Sequence, residues 1–413
     1  MKNSGEVKPH NLDTDIYVTL SGTDALSKLR MLRHSVRKRT SILASGVNHP
    51  RFTTSLMVSA AGCSNPFPHV FDMRILFRST ITTFLVLVGL ALTACGESGE
   101  GNNLPTNPSS GITVAIRAAA AKTTAERSTG LCADIQPFYW EIGDVAALLG
   151  SGSVNKSGSA TTYTAQTPMA IASASKWIYG AYAAERRGGA LTTEDIQFLT
   201  FRSGYTNFAP TGCDNDDTVS QCVARSTNGI LTPGNIGKFS YGGAHMEKHA
   251  SLAAPGMNLG ALANAALAAE VRRVLGTEIA FTYTQPQLAG GIRSSAADYA
   301  VFLRKILAGN LRMGSLLGSN ATCTNPATCP TALNSPIAGG ENWHYSIGHW
   351  VEDDAVSGDG SFSSAGAFGF YPWIDANKTL YGVVARLSLS GGGEASARCG
   401  ARIRKAWETG VAQ

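Results

Sequence analysis

A serine and a lysine three residues apart, at the head of an apolar helix, constrain this chain more than any other feature. They stand in the run Pro168-Met-Ala-Ile-Ala-Ser173-Ala-Ser-Lys176-Trp-Ile-Tyr179. One helical turn brings such a pair to the same side. A buried lysine amine loses basicity and can take the neighbouring hydroxyl's proton, giving a nucleophile without histidine. Ser-x-x-Lys occurs twice more, from Ser35 to Lys38 and from Ser153 to Lys156. Ser35 lies in a basic stretch without apolar period. Ser153 lies in a Gly- and Ser-rich run that reads as a turn. Only Ser173 follows an apolar strand-like run and opens a helix, which continues over 177–184 and stops at Gly188-Gly189. A helix start offers free N–H groups and a positive dipole end to developing negative charge. The competing reading is a capping serine beside a solvated lysine.

The N-terminal third reads differently. Met73-Arg-Ile-Leu-Phe-Arg78 is a short basic segment, and 81–92 is an apolar core short of a full membrane span. Leu92-Thr-Ala-Cys95 then matches a bacterial lipobox. Residues 73–94 are therefore expected to be a lipoprotein signal peptide, with Cys95 lipidated and facing the periplasm from the outer membrane. Residues 1–72 show neither signal-like nor core-like pattern and read as an upstream extension foreign to the mature protein. Gly, Ser, Asn and Pro dominate 96–111, so 95–130 reads as a flexible tether. The net charge of +5 is modest, and no basic stripe or nucleic-acid motif occurs, which argues against a nucleic-acid partner.

Six cysteines follow Cys95, an even number that suits disulfides in an exported chain. Cys213 with Cys222 and Cys323 with Cys329 would close short polar loops, and Cys132 with Cys399 would tie the two ends together. Other pairings, and reduced thiols, remain open at this point.

Along 131–413, strand–turn–strand over 138–150 precedes the Ser173 helix. Thr192 and Asp195 mark a helix start, as do Ser295 and Asp298. An Ala-rich amphipathic helix is expected over 259–275. The spans 209–238 and 309–341 read as loops. Strands are expected over 345–351, 367–374 and 380–387, with a last helix over 395–407. This order predicts an α/β (α+β) domain: an antiparallel sheet flanked by helices, with a mainly helical insertion at about 190–335.

The order of these segments resembles the serine β-lactamase and penicillin-binding-protein superfamily, nearest its class C β-lactamase and family VIII esterase branch. The segments that carry the resemblance are Ser173 to Lys176, 188–195, 199–205, 288–303, 369–375 and 380–384. It implies a β-lactamase/transpeptidase-like fold, with Ser173 as nucleophile and Lys176 as its base. The family's second element is a tyrosine. Tyr205-Thr-Asn207 matches in letters but comes too soon after Ser173, whereas Tyr241 stands at the better distance. Gly243 then occupies a position where many relatives carry an asparagine. The third element, a strand motif, falls on Ser364-Ala365-Gly366, with no cation at Ser364. An oxyanion hole is implied at the backbone N–H groups of Ser173 and Ala367.

The implied activity is cleavage of a small ester or amide through an acyl-enzyme, without a metal or organic cofactor. The missing cation weighs against a β-lactamase or D-Ala-D-Ala carboxypeptidase, which remains the first alternative. A non-catalytic envelope binding protein is the second. His245 and His249 are weak metal candidates, His344 and His349 read as packing or a pocket wall, and Asp214 to Asp217 read as a solvated loop.

Overall fold

The computed structural model describes residues 18–20, 58–60, 112–209, 212–337 and 341–413. The signal segment 73–94 and Cys95 lie outside the described residues, as does Ser35. The chain divides into two units, 1–106 and 107–413. In the first, Val18–Leu20 pairs in parallel with Val58–Ala60.

The second unit is built on an eight-stranded sheet. Its strands run in spatial order Leu148–Val154, Phe138–Asp144, Leu380–Ala385, Tyr371–Ile374, Ser361–Ser363, Trp350–Glu352, His344–Tyr345 and Thr322–Cys323. Every neighbouring pair is antiparallel. This matches the expected α/β architecture. Helices Val114–Ala125 and Gly393–Thr409 pack on one another at the sheet's N-terminal edge. The tether expected over 95–130 is thus helical over Val114–Ala125. Thr113 caps that helix, and a run of four alanines, Ala118–Ala121, favours it.

Between the strands lies a helix-rich insertion with small sheets of its own. Met169–Ala170, Ile292–Ser294 and Thr282–Tyr283 form one. Phe239–Ser240 pairs with Ala332–Asn334 in another. Thr192 and Asp195 form the expected capping box before Thr193–Leu199, and Ser295 caps Ala296–Leu307. The alanine-rich helix begins only at Asn264 and runs to Leu275. Its expected first turn is instead tied to the 218–220 segment, where Val219 N–H and Ser220 N–H reach the Leu262 and Gly260 carbonyls. Thr218 caps a short helix, Val219–Ala224, inside the span expected as loop. Ser153, expected in a turn, lies in the strand Leu148–Val154.

All three expected disulfides are present: Cys132–Cys399, Cys213–Cys222 and Cys323–Cys329. Among the described residues, no helix is long and apolar enough to cross a membrane.

Candidate active site

Ser173 sits in a 3-10 turn, Ala172–Ala174, that leads into the helix Ser175–Arg186. Ala172 takes φ +45°, a left-handed conformation that costs a non-glycine residue roughly 1–3 kcal/mol. Such strain, held in place by packing, presents the next side chain out of the regular helix. Ser173 is half-buried, whereas Ser175 through Ala184 are all buried.

Lys176 Nζ lies 2.9 Å from Ser173 Oγ and donates to the Ala289 carbonyl at 2.7 Å. The side chain is 5% exposed. Burial pushes the amine down to about 7, with Glu247 opposing. A lysine in that state is part amine near neutrality and can act as a base.

Tyr241 brings a third group. Its backbone N–H donates to Asn334 Oδ1 at 2.6 Å, which fixes it at the end of the small parallel pair. Lys176 Nζ stands 5.0 Å from its ring centre. Burial pushes the phenol up to about 12, while hydrogen bonding with the Ser173 hydroxyl and the Trp350 side chain pulls the other way. Trp350 stacks on the ring at 5.3 Å, and Phe201 and Tyr345 meet it edge-on. Ser173, Lys176 and Tyr241 are therefore one cluster. Tyr205, the competing tyrosine, stacks on Phe198 and lies under Lys248.

The segment Ser364-Ala365-Gly366 follows the strand Ser361–Ser363 rather than lying on it. Ser364 Oγ donates to the Ser173 carbonyl at 3.0 Å, so this segment lies against the Ser173 turn. A Cβ on Gly366 would stand 2.1 Å from the Ile171 carbonyl oxygen. Glycine is required there by close backbone approach. Gly366→Ala is expected to displace the 171–173 turn and cut turnover by about 100-fold, since small misplacements of reacting groups cost that much. Steady-state kinetics on the folded variant checks this. Ala367, exposed, follows in the same turn.

A similar approach explains a misread strand. The expected strand 345–351 is two strands, His344–Tyr345 and Trp350–Glu352, joined by a turn. Gly348 in that turn has φ +74°, and a Cβ there would meet the Lys176 carbonyl at 2.4 Å. The turn presses on the helix Ser175–Arg186.

EstCE1, a hydrolase with promiscuous acyltransferase activity, superposes with a TM-score of 0.52 at 13% identity, covering 72% of this chain and all of that one. The fold is that of the serine β-lactamases and penicillin-binding proteins. Two further solved structures align at lower scores. The octameric penicillin-binding-protein homologue of Pyrococcus abyssi gives TM-score 0.48 at 13% identity, covering 72% of this chain and 77% of that one. Unliganded simvastatin synthase from Aspergillus terreus gives 0.45 at 13% identity, covering 71% and 96%. No protein-family model matches the chain, and no curated protein matches it in sequence.

Within this β-lactamase-like fold, Gly243 is the first residue of a turn entering the helix Ala244–Ser251, beside the Phe208 ring. It offers no amide. The weak metal candidates serve structure. His245 bonds Ser203 and the Ser240 carbonyl, and His249 bonds Tyr179 and Asp195. His349 stacks on Trp177 and His344 pairs with Asp353. Asp214 to Asp216 are exposed, as the solvated-loop reading expected, while Asp217 is buried and pairs with Arg225. Among the described residues, Cys213, Cys222 and Glu247 hold donor atoms within 4.8 Å, but the two sulfurs are bonded to each other.

The sequence reading did not single out Glu247, Ala289 or Trp350. Nothing in the sequence marks Glu247, whose helix also carries His245, Lys248 and His249.

Proposed function

We propose that the protein is a serine hydrolase that forms an acyl-enzyme at Ser173 and cleaves a carboxylic ester or amide. The observation that carries this reading is the contact of a buried lysine amine with a half-buried serine hydroxyl, 2.9 Å apart. Neutral Lys176 takes the Ser173 proton as Oγ bonds to the substrate's carbonyl carbon. The carbonyl oxygen becomes an oxyanion, held by the Ser173 and Ala367 N–H groups. Its collapse breaks the bond to the leaving group, which receives the proton from Lys176 through Tyr241. Water then gives a proton back to the Tyr241–Lys176 pair as it attacks the acyl carbon, and Ser173 Oγ leaves and is reprotonated. Every proton resides on a side chain of this protein, on substrate or on the attacking water, so these steps call for no cofactor.

Ser364 in place of a cation, and Gly243 in place of an amide, favour a neutral ester or amide over a substrate held by its carboxylate. EstCE1, a hydrolase with acyltransferase activity, is consistent with an acyl-enzyme resolved by water or by another acceptor. Export and lipidation at Cys95 belong to the same reading. The sequence of 73–95 supports them, and three disulfides suit an oxidising compartment.

A panel of nitrophenyl esters, anilides and a chromogenic cephalosporin tests the substrate class. Ester or anilide cleavage with little cephalosporin turnover is expected. Rapid cephalosporin turnover without ester cleavage would assign a β-lactamase instead, and inertness toward all three would favour a binding protein.

A further inference from the structure

Glu247 is fully buried on the helix Ala244–Ser251, six residues beyond Tyr241. Its Oε1 accepts from the Ala289 N–H at 3.2 Å. The Ala289 carbonyl accepts from Lys176 at 2.7 Å. One residue therefore grips the glutamate on one side and the proposed base on the other. Oε2 of Glu247 has no hydrogen-bond partner. A buried carboxyl with an unmatched oxygen is costly and is retained only where something compensates it.

The groups that face Glu247 come from three elements. Lys176 and, one turn on, Tyr179 project from the nucleophile helix, and Tyr283 from the strand Thr282–Tyr283. The sulfurs of Cys213–Cys222 also lie against it and do not titrate. Lys176 is the one cation in this set.

We propose that Glu247 is a positioning residue for Lys176: together with Ala289 it fixes the amine beside Ser173 and sets the pH at which that amine becomes free to accept the serine proton. The proposal rests on the acyl-enzyme reading above. An adjacent carboxylate stabilises the ammonium form, so it holds the proton on Lys176 to higher pH than burial alone would. Burial drives the two groups toward each other, Lys176 down and Glu247 up. Near neutrality the pair shares one proton, as ammonium with carboxylate or amine with carboxylic acid.

The test is the pH dependence of kcat/KM for an ester, which reports groups of the free enzyme. The wild type is expected to lose activity as pH falls through about 7, where Lys176 becomes ammonium. Glu247→Gln keeps the shape and removes the charge, so the acid limb is expected to move to lower pH by about one unit. Glu247→Asp keeps the charge one methylene further away and is expected to move it part of the way. It serves as the reporter if the glutamine variant does not fold. A purely structural glutamate would lower the rate or the melting temperature without moving the limb. An unmoved limb in the folded variants, with Ser173 still acylated, would overturn the proposal. Failure of the wild type to be acylated at Ser173 would instead remove the reading beneath it.

Discussion

Ser173→Ala is expected to lower ester turnover by at least about 10,000-fold while leaving the fold and substrate affinity nearly unchanged. Loss of a serine nucleophile costs on this scale because the base, the phenol and the oxyanion donors have nothing left to activate. The side chain is half-buried and small. Its removal deletes one hydroxyl whose bonds are with Lys176 and Tyr241. Neither partner depends on it for position. Lys176 keeps the Ala289 carbonyl, and Tyr241 keeps Asn334 and the Trp350 stack. KM is therefore expected to stay within a few-fold of the wild type, and near-UV circular dichroism to be superimposable. Parallel kinetics on the two proteins check the split. Retained turnover in the variant would move the nucleophile elsewhere.

Arg404→Met is expected to destabilise the protein by about 3–5 kcal/mol, the usual loss when one partner of a buried ion pair is removed. Arg404 lies on the last helix and is 1% exposed. Its guanidinium donates to Glu352 at 2.7 Å, to Asp359 at 2.6 Å and to the Tyr371 hydroxyl at 2.9 Å, and lies over the Trp373 ring. Tyr371 in turn donates to Glu352 at 2.7 Å. Without the arginine, Glu352 is a buried carboxylate facing one hydroxyl. Lysine cannot replace it, since a single ammonium cannot serve three acceptors in a planar fork. A thermal melt should show the midpoint falling by about 10 °C. The double variant Arg404→Met/Glu352→Gln should recover part of that loss, because the stranded charge is gone. A single variant as stable as the wild type would contradict this account of how the last helix is locked to the sheet.

The parts of the site that the sequence made legible are those set by local geometry. Ser173 and Lys176 meet because three residues of helix bring them together, and the capping residues Thr192 and Ser295 act within their own turns. Tyr241 could be preferred over Tyr205 only through resemblance, because the contact with Lys176 spans 65 residues of chain. Glu247 was not legible for the same reason. Its chemistry arises when the helix Ala244–Ser251 is packed against Leu288 and Ala289, which excludes water from a side chain that is ordinary in sequence. Strand lengths were overestimated where the chain serves the site. Apolar periodicity runs on through 345–351 and 367–374, yet Gly348 breaks the first where its backbone approaches the helix Ser175–Arg186, and a turn closed by the Gly369 N–H on the Gly366 carbonyl delays the second to Tyr371. The helix Val114–Ala125 was missed because a Gly- and Pro-rich run precedes it, and its packing partner, Gly393–Thr409, lies at the other end of the chain.

The central claim is that Ser173 carries the acyl group, and intact-protein mass spectrometry tests it most directly. After incubation with a slowly hydrolysed nitrophenyl ester or a fluorophosphonate, the wild type should gain the mass of one acyl or phosphonyl group. Peptide mapping should place it on Ser173, and the gain should be absent from Ser173→Ala. An adduct on any other residue, or an equal mass gain in Ser173→Ala, would contradict the account.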